Sequence, residues 1–251
     1  METQVVRFNE IGAPEVLYYE NKKIGAPSFG EVLLRHVAVG LNYADTYIRT
    51  GIYPIPLPNG IGSEASGVIE AIGEGVKDFT VGDRVTYTGS MNTLGAYSTM
   101  RLIAADTLIK LPEGISCETA AAMTMRGLTA SYLLRRIYDF KKGDTILLHA
   151  AAGGVGLIVS QWAKLLGLTV IGTTSTDEKA SVARAHGCDF VINYSYESVA
   201  ERVREITKGK GVDVVFDSVG KTTFMSSLDS LKRRGLLVLV GTSSGPVDTF
   251  D

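Results

Sequence analysis

Three small residues follow a short apolar segment at a spacing that lets the main chain bind phosphate groups. The segment TILLHA, residues 145–150, has no polar alternation, which is typical of a strand buried in a parallel sheet. Ala151, Gly153 and Gly156 then form the pattern G-x-G-x-x-G, with alanine at the first position. Glycines here allow a tight turn and a close approach to a pyrophosphate, and the N-terminus of the following helix attracts negative charge.

Because this pattern lies between a predicted strand and a predicted helix, it predicts a dinucleotide-binding loop. The alternative is a glycine-rich helix start without a ligand. The loop residues that we assign to cofactor binding are Ala152, Gly153, Gly154, Val155 and Gly156.

The residues after the next predicted strand, LTVIG, indicate which dinucleotide is bound. An NAD site usually has a carboxylate there for the ribose 2′-hydroxyl, whereas an NADP site has hydroxyls or cations. The strand is followed by Thr-Thr-Ser at 173–175, and the first carboxylate is Asp177. This favours NADPH as the cofactor, although a lone lysine such as Lys179 is also typical of a solvated helix. The assigned residues are Thr174, Ser175, Lys179 and Tyr194, the last as a surface on which adenine could stack.

The composition argues against several functional classes. The 251 residues contain 25 Lys plus Arg and 27 Asp plus Glu, a formal net charge of −2, so no basic excess is available for nucleic acid or an anionic membrane. The N-terminal residues carry charges and lack a signal-peptide core, and no stretch reaches the ~18 apolar residues of a membrane span. Cys117 and Cys188 lie far apart, unlike a disulfide framework. We therefore expect a cytoplasmic protein whose main partner is not nucleic acid.

The pattern of elements predicts an α/β protein with two domains. Residues 1–115 contain short segments rich in Val, Ile, Tyr and Thr, separated by Gly, Pro and Asn, which predicts a mainly antiparallel β domain. Residues 116–251 alternate longer helical segments with five short apolar strands, which predicts a parallel sheet buried on both faces. Those strands are TILLHA, LTVIGTT, CDFVINY, VDVVFDSV and GLLVLVGT.

Several longer segments resemble one family. They are LNYADTYIRTGIYPIPLP, GSEASGVIEAIGEGV, VGDRV, GAYSTM, VINY, VREITKGKGVDVVFDSVG and RRGLLVLVGTSSGPV, together with the glycine-rich loop. With them the chain resembles, over nearly its whole length, the zinc-independent quinone oxidoreductases related to zeta-crystallin, within the medium-chain dehydrogenase/reductase superfamily. The resemblance implies a GroES-like catalytic domain, a Rossmann domain that binds NADPH, and a homodimer.

The positions that bind catalytic zinc elsewhere in that superfamily carry other residues here. Those enzymes use a Cys, the His of a Gly-His-Glu motif and a later Cys. In this sequence the first position falls near Asn42, the motif reads Gly62-Ser63-Glu64, and the last position falls near Met125. None of these offers a thiolate or an imidazole, so we expect no metal site.

The resemblance also implies where the substrate binds, because it places the segment NYADTY and the next tyrosine beside the nicotinamide. We therefore predict Asn42, Asp45, Tyr47 and Tyr53 as the polar lining of the acceptor pocket. A reaction without a metal needs an acceptor that takes up hydride readily, such as a quinone or another conjugated carbonyl. Tyr47 or Tyr53 would donate a hydrogen bond to the quinone oxygen. By residue type alone, Asn42 and Asp45 are also typical of a helix cap, and Tyr53 of a loop anchor before Pro54.

Further cofactor contacts are expected at the carboxyl ends of the strands, where ligands of open α/β sheets bind. Ser218 and Gly220 lie at the end of one predicted strand, and Gly241 and Thr242 lie at the end of another. The resemblance adds Thr129, facing the nicotinamide, although its segment LTASYLLRR is also typical of a buried helix.

Three other features receive structural interpretations. His149 and Trp162 are predicted to be core residues, and LKRRG, residues 231–235, is predicted to be a solvated helix end. The sequence ends at GTSSGPVDTFD, where family members continue with a sixth Rossmann strand, so we expect the last part of that sheet to be incomplete.

Three functions are compatible with these observations. The leading interpretation is NADPH-dependent reduction of quinones, by transfer of hydride or of single electrons. A reductase of enones or enoyl thioesters would use the same metal-free site, and a nucleotide-binding protein without turnover would share only the cofactor loop.

Overall fold

Two antiparallel sheets organise one unit of the chain, Met1–Met125, and a parallel sheet organises the other, Arg126–Asp251. The computed structural model describes residues 1–89 and 94–249. The unit boundary falls within one helix, Cys117–Arg135, whereas the predicted domain boundary precedes that helix and stays a prediction. No helix in these described ranges is both long and apolar enough to cross a bilayer.

The first unit is mainly antiparallel β, as predicted. Its elements are β1 (Glu2–Phe8), β2 (Tyr18–Lys23), β3 (Glu31–Gly40), α1 (Tyr43–Arg49), β4 (Asn59–Gly60), β5 (Glu64–Ile72), β6 (Arg84–Thr88), β7 (Met100–Ala104), β8 (Ile109–Lys110) and the first part of α2 (Cys117–Arg135). One sheet has the strand order β7-β3-β5-β6-β8 and the other β2-β1-β4, with antiparallel pairing throughout. The core of the five-stranded sheet consists of residues that are each at most 1% exposed, among them Val32, Leu34, Ala65, Ile69 and Val85.

The second unit is a five-stranded parallel sheet with helices on both faces, which confirms the predicted α/β class. Its elements are β9 (Thr145–Leu148), α3 (Gly154–Leu165), β10 (Thr169–Thr174), α4 (Asp177–Ala185), β11 (Phe190–Asn193), α5 (Val199–Ile206), β12 (Val212–Asp217), α6 (Phe224–Ser230) and β13 (Leu231–Leu239). The strand order is β11-β10-β9-β12-β13.

Alternate residues of β9 enter two different cores, as the period of a strand requires. Ile146 and Leu148 pack on the face covered by α2 and α3, and Leu147 packs on the face covered by α5. This double burial explains why the strand sequences are apolar without alternation. His149 is 2% exposed, which confirms its prediction as a core residue, and Trp162 is partly buried against the same core.

The prediction of a solvated helix end at residues 231–235 is wrong. Helix α6 ends at Ser230, and β13 begins at the next residue. The ladder pairs Val212 with Leu231 but Val214 with Leu236, so β13 bulges where Arg234 adopts a φ of +64°. The bulge leaves the two arginines of the run exposed on the last strand of the described sheet, and cations are found on such strands as well as at helix C-termini.

A buried histidine makes the stability of the first unit depend on pH. His36 on β3 has Nδ1 2.7 Å from the carbonyl oxygen of Ser98 and Nε2 3.1 Å from the hydroxyl of Tyr87. Burial, helped by the charge of Arg101, lowers the pKa of His36 from 6.5 to about 4, against the hydrogen bond that Nδ1 donates to the carbonyl oxygen of Ser98. The unfolded chain therefore binds a proton first as the pH falls, so this contribution to stability is present above pH 6.5 and is lost between pH 6.5 and about 4.

We expect His36 to account for at most about 2 kcal/mol of the unfolding free energy lost between pH 7 and pH 5. Urea unfolding of the wild type and of His36→Gln at both pH values measures this difference. The variant should have the shallower pH dependence, and equal slopes for the two proteins would contradict the prediction.

Candidate functional site

The glycine-rich turn joins β9 directly to α3. The main chain passes through Ala150, which has the left-handed φ of +52°, and Gly153 is the N-cap of the helix. A Cβ atom at Gly156 would lie 2.5 Å from the carbonyl oxygen of Ala150 and 2.6 Å from that of Ala151, so only glycine permits this packing. Gly153 and Gly154 are exposed. The first turn of α3 thus presents main-chain N–H groups and a partial positive charge at an open glycine surface, which suits a pyrophosphate.

A cation that the sequence did not reveal lies beside this turn. The side chain of Arg126, on α2, packs so close to Gly154 that a Cβ atom there would lie 2.6 Å from its Nε. Residues 126 and 154 are far apart in the chain, so no local spacing signals the contact. A guanidinium at a helix N-terminus adds a second source of positive charge for a phosphate.

The end of β10 and the first turn of α4 carry hydroxyl groups and a lysine. Thr174 is 3% exposed, and its Oγ1 donates to the carbonyl oxygen of Thr176. Nζ of Lys179 lies 3.3 Å from Oγ of Ser175, so the two predicted residues come together. Tyr194 donates its main-chain N–H to the carbonyl oxygen of Thr174, and its side chain is 51% exposed. These groups suit a 2′-phosphate.

The nearest carboxylate is occupied by other partners. Asp177 accepts hydrogen bonds from Nδ2 of Asn193 at 2.9 Å and from the hydroxyl of Tyr196 at 2.8 Å. These two bonds lower the pKa of Asp177. Both bonds end at Oδ1, so one oxygen of this carboxylate is held on the β11 side.

The loops after β12 and β13 meet at the same edge of the sheet. The carbonyl oxygen of Ser218 accepts from the N–H of Ser243, 3.3 Å away. Gly220 has a φ of +87°, and a Cβ atom there would lie 3.1 Å from Cα of Thr242. The structure therefore brings together the predicted residues Ser218, Gly220, Gly241 and Thr242. Thr129 lies half-buried on α2, and its contact with the cofactor stays a prediction.

In the first unit, the capping interpretation of Asn42 and Asp45 is confirmed. Asn42 is the N-cap of α1, and its main-chain N–H donates to Oδ2 of Asp45 at 3.0 Å. The same carboxylate accepts from the hydroxyl of Tyr97 at 2.9 Å and lies 3.5 Å from Oγ of Ser63. Burial raises the pKa of Asp45, against the effect of these three hydrogen bonds. A role in substrate binding is compatible with capping but stays a prediction.

The two predicted tyrosines differ in exposure. Tyr47 is 6% exposed, and its ring packs edge-on against Tyr43 and Tyr53, with both centroid separations at 5.2 Å. Tyr53 is 38% exposed, and its N–H donates to the carbonyl oxygen of Tyr47. Both the loop-anchor and the substrate-binding interpretations of Tyr53 therefore have structural support.

The three positions equivalent to zinc ligands converge on a buried glutamate. Glu64 has no exposed surface; its Oε2 accepts from Nδ2 of Asn42 and its Oε1 from the N–H of Met125, both at 2.7 Å. Ser63 precedes it. An amide, a hydroxyl and a thioether do not match the N and S ligands that zinc requires, so zinc does not fit here. Across the residues that the structure describes, no group of three His, Cys, Asp or Glu side chains could hold a metal ion.

Comparison with known proteins gives two matching family models. Residues 28–113 match the alcohol dehydrogenase GroES-like domain, and residues 154–251 match the model described as zinc-binding dehydrogenase. The positions equivalent to zinc ligands, 42, 63 and 125, lie outside the range of the second match.

Individual relatives are similar over most of the chain. A quinone oxidoreductase of Pseudomonas aeruginosa is 52% identical over 243 residues, which are 96% of this chain and 74% of the relative. A 2-haloacrylate reductase of a Burkholderia species is 49% identical, covering 94% of this chain and 72% of the relative. The crystal structure of Escherichia coli quinone oxidoreductase complexed with NADPH has a TM-score of 0.95 and 48% identity, covering 99% of this chain and 76% of that one.

Proposed function

Because the chain belongs to the quinone oxidoreductase family of the medium-chain dehydrogenases/reductases, we propose that it reduces quinones with NADPH and without a metal. The observation that carries the proposal is the combination of an open glycine turn at the N-terminus of α3 with Ser175, just after β10, and Lys179, in the first turn of α4. This donor set suits a pyrophosphate and a 2′-phosphate.

Bound NADPH would supply the hydride. The residues that would hold it are those of the turn at 152–156, with Arg126 beside the phosphates, and Ser175 and Lys179 at the 2′-phosphate. Tyr194 would stack on the adenine. Ser218, Gly220, Gly241 and Thr242, at the same sheet edge, would complete the site, with Thr129 on α2 facing the nicotinamide.

The first unit would supply the acceptor-binding groups. Asn42 and Asp45 would contribute to the polar lining, but both are nearly buried, so their larger effect is to fix the start of α1. Tyr53 is the more exposed tyrosine and is the better candidate to donate a hydrogen bond to a quinone oxygen. Tyr47, packed edge-on against it, orients its ring. As negative charge develops on the quinone oxygen, a fixed hydroxyl stabilises it, and water can supply the final proton.

Tyr53→Phe is expected to lower kcat about 10-fold with little change in the Kd for NADPH, because only the hydrogen bond to the developing charge is lost. Stopped-flow or steady-state assays with a small ortho-quinone measure the effect. Tyr19→Phe, at a 75% exposed position of β2, is the matched control. Full turnover by Tyr53→Phe would remove its hydroxyl from the reaction.

Lys179→Ala is expected to raise the Kd for NADPH about 10-fold and to leave the Kd for NADH unchanged, because only NADPH carries the phosphate that the ammonium would bind. Titration of nicotinamide fluorescence with both cofactors gives the two constants. Lys210→Ala is the control: it also removes one positive charge, but just before β12, at the end of the sheet where the parallel strands begin, and it should change neither constant. Equal losses for NADPH and NADH would contradict the proposed role.

Adding a quinone after the NADPH titration, in the same sample, tests the proposed function as a whole. Saturable NADPH binding, followed by oxidation on addition of a quinone above the rate without protein, is the expected result. Binding without turnover on any acceptor would instead support a non-catalytic nucleotide-binding protein.

A second function, reduction of an activated alkene, is favoured by one finding: the 49% identity to a 2-haloacrylate reductase. A conjugated enone or haloacrylate accepts hydride at carbon without a metal, as a quinone does. A panel of quinones assayed beside a panel of enones and 2-haloacrylates separates the two activities by their kcat/KM values.

We further propose that the functional domains are residues 1–115 and 116–251, and that the protein is a cytoplasmic homodimer. The family resemblance supports the dimer, and the near-neutral charge and scarce cysteines are compatible with the cytoplasm. Light scattering at several concentrations tests the assembly, and fluorescence of a tagged chain in cells tests the location.

A further inference from the structure

Four buried polar side chains form a continuous chain beneath the strand ends of the second unit. Thr173, His149, Ser227 and Asp217 are at most 2% exposed. Oγ1 of Thr173 lies 3.0 Å from Nδ1 of His149, and Nε2 of the same ring lies 3.0 Å from Oγ of Ser227. Ser227 Oγ in turn lies 2.7 Å from Oδ2 of Asp217. The four groups connect β10, the end of β9, α6 and β12.

The carboxylate of Asp217 fixes the direction of every hydrogen bond in this chain. Burial opposes its ionisation, but the attraction of His149 when that ring is protonated, and the hydrogen bonds from Gly220, Ser227 and Thr223 in either state of the ring, hold the pKa of Asp217 below its usual range. An ionised carboxylate only accepts, so the single hydroxyl proton of Ser227 points to it, and Ser227 accepts from His149.

The ring of His149 is neutral because burial lowers the pKa of His149, against the attraction of Asp217. A neutral imidazole carries one N–H, which must be on Nε2 in order to donate to Ser227. Nδ1 then accepts from the hydroxyl of Thr173. All three hydrogen bonds therefore run in one direction, from Thr173 to Asp217.

The residues at the two ends of this chain of hydrogen bonds, Asp217 and Thr173, each hold a segment of the proposed cofactor site. Oδ1 of Asp217 accepts from the N–H groups of Val219 at 2.9 Å and Gly220 at 3.0 Å, so the carboxylate shapes the loop after β12. At the other end, the carbonyl oxygen of Thr173 accepts from the N–H of Ala151 at 3.1 Å, at the start of the glycine turn.

We propose that four positioning residues set the affinity for NADPH, an inference that rests on the proposed NADPH site. They are Thr173, His149, Ser227 and Asp217. The chain holds three segments, residues 150–153, 174–175 and 218–220, in their binding geometry before the cofactor arrives. Fixing these segments in the folded protein reduces the ordering that binding would otherwise require. Asp217 is the anionic end that makes the arrangement directional.

The test compares two buried serines of the same helix. Ser227→Ala breaks the chain of side-chain hydrogen bonds, whereas Ser230→Ala removes a hydroxyl that is equally buried but donates to the carbonyl oxygen of Ser226, within its own helix. We expect Ser227→Ala to raise the Kd and KM for NADPH about 10-fold while kcat at saturating NADPH stays within about twofold. Ser230→Ala should leave all three unchanged. Equal effects of the two substitutions on Kd, or none from either, would overturn the proposal.

Two measurements without cofactor test the chain independently of the enzymatic function. Nitrogen-15 NMR should show the Nε2–H tautomer for His149, with His36 as an internal reference of the opposite tautomer, since its Nδ1 donates to Ser98. Amide hydrogen exchange at Val219 and Gly220 should accelerate in Ser227→Ala but not in Ser230→Ala.

Two results would overturn the proposal that these hydrogen bonds hold the loop after β12. One is an Nδ1–H tautomer for His149, and the other is equal amide exchange rates at Val219 and Gly220 in Ser227→Ala and Ser230→Ala. If the wild type binds no NADPH, the proposed function and the affinity effect fail together, whereas the tautomer and the exchange rates still decide whether the chain holds the loop.

Discussion

Gly156→Ala is expected to raise the Kd for NADPH at least about 100-fold, because displacement of a binding group by even ~1 Å can cost that much. The added methyl group would lie 2.5 and 2.6 Å from the carbonyl oxygens of Ala150 and Ala151. Both contacts are with main chain, so no flexible side chain can move away, and the start of α3 must shift relative to the turn. The phosphate-binding N–H groups would shift with it.

Fluorescence titration of NADPH measures this loss, and circular dichroism shows whether the unit stays folded. Gly114→Ala is a control for the added methyl group, since nothing lies within 4 Å of its Cβ position. A Gly156→Ala protein that is folded and binds NADPH with wild-type affinity would exclude the α3 N-terminus as the pyrophosphate site.

Glu64→Ala is expected to lower the unfolding free energy by about 3 to 5 kcal/mol. The substitution leaves the amide of Asn42 and the N–H of Met125 without their buried acceptor and opens a cavity. Loss of the Asn42 contact also frees the N-cap of α1, so quinone turnover should fall with stability.

Urea unfolding compares this variant with two others. Glu64→Gln keeps the shape and one acceptor, so it should lose only about 1 to 2 kcal/mol. Glu70→Ala removes an exposed carboxylate of the same strand that pairs with Arg35, and should change stability by less than about 1 kcal/mol. Similar losses for Glu64→Ala and Glu70→Ala would show that the buried carboxylate is not a structural anchor.

Local patterns predicted the fold well, because strands and helices are encoded by neighbouring residues. TILLHA predicted β9, and the glycine spacing predicted the turn before α3. The error at residues 231–235 has the same origin: a dense group of cations is typical both of a helix end and of an exposed strand, and only the pairing of β13 with β12 distinguishes them.

The buried polar contacts of the two units could not be predicted in this way. Glu64 reaches a main-chain group 61 residues away, and His149 reaches Ser227 across 78 residues. Such pairs leave no spacing signal, because the residues between them can vary freely in sequence. The contact between Arg126 and the glycine-rich turn could not be predicted either, because it forms only when α2 folds against that turn.

The bulge at the start of β13 has a consequence for the side chains that this strand accepts. Arg234 adopts a φ of +64°, a left-handed conformation that costs a residue with a Cβ atom roughly 1 to 2 kcal/mol. Its side chain is exposed, so replacing it by glycine removes no buried contact. Valine and isoleucine, whose Cβ atoms are branched, are the least compatible with this conformation. Among random substitutions at position 234, glycine should therefore be the best tolerated, and the two β-branched residues the worst.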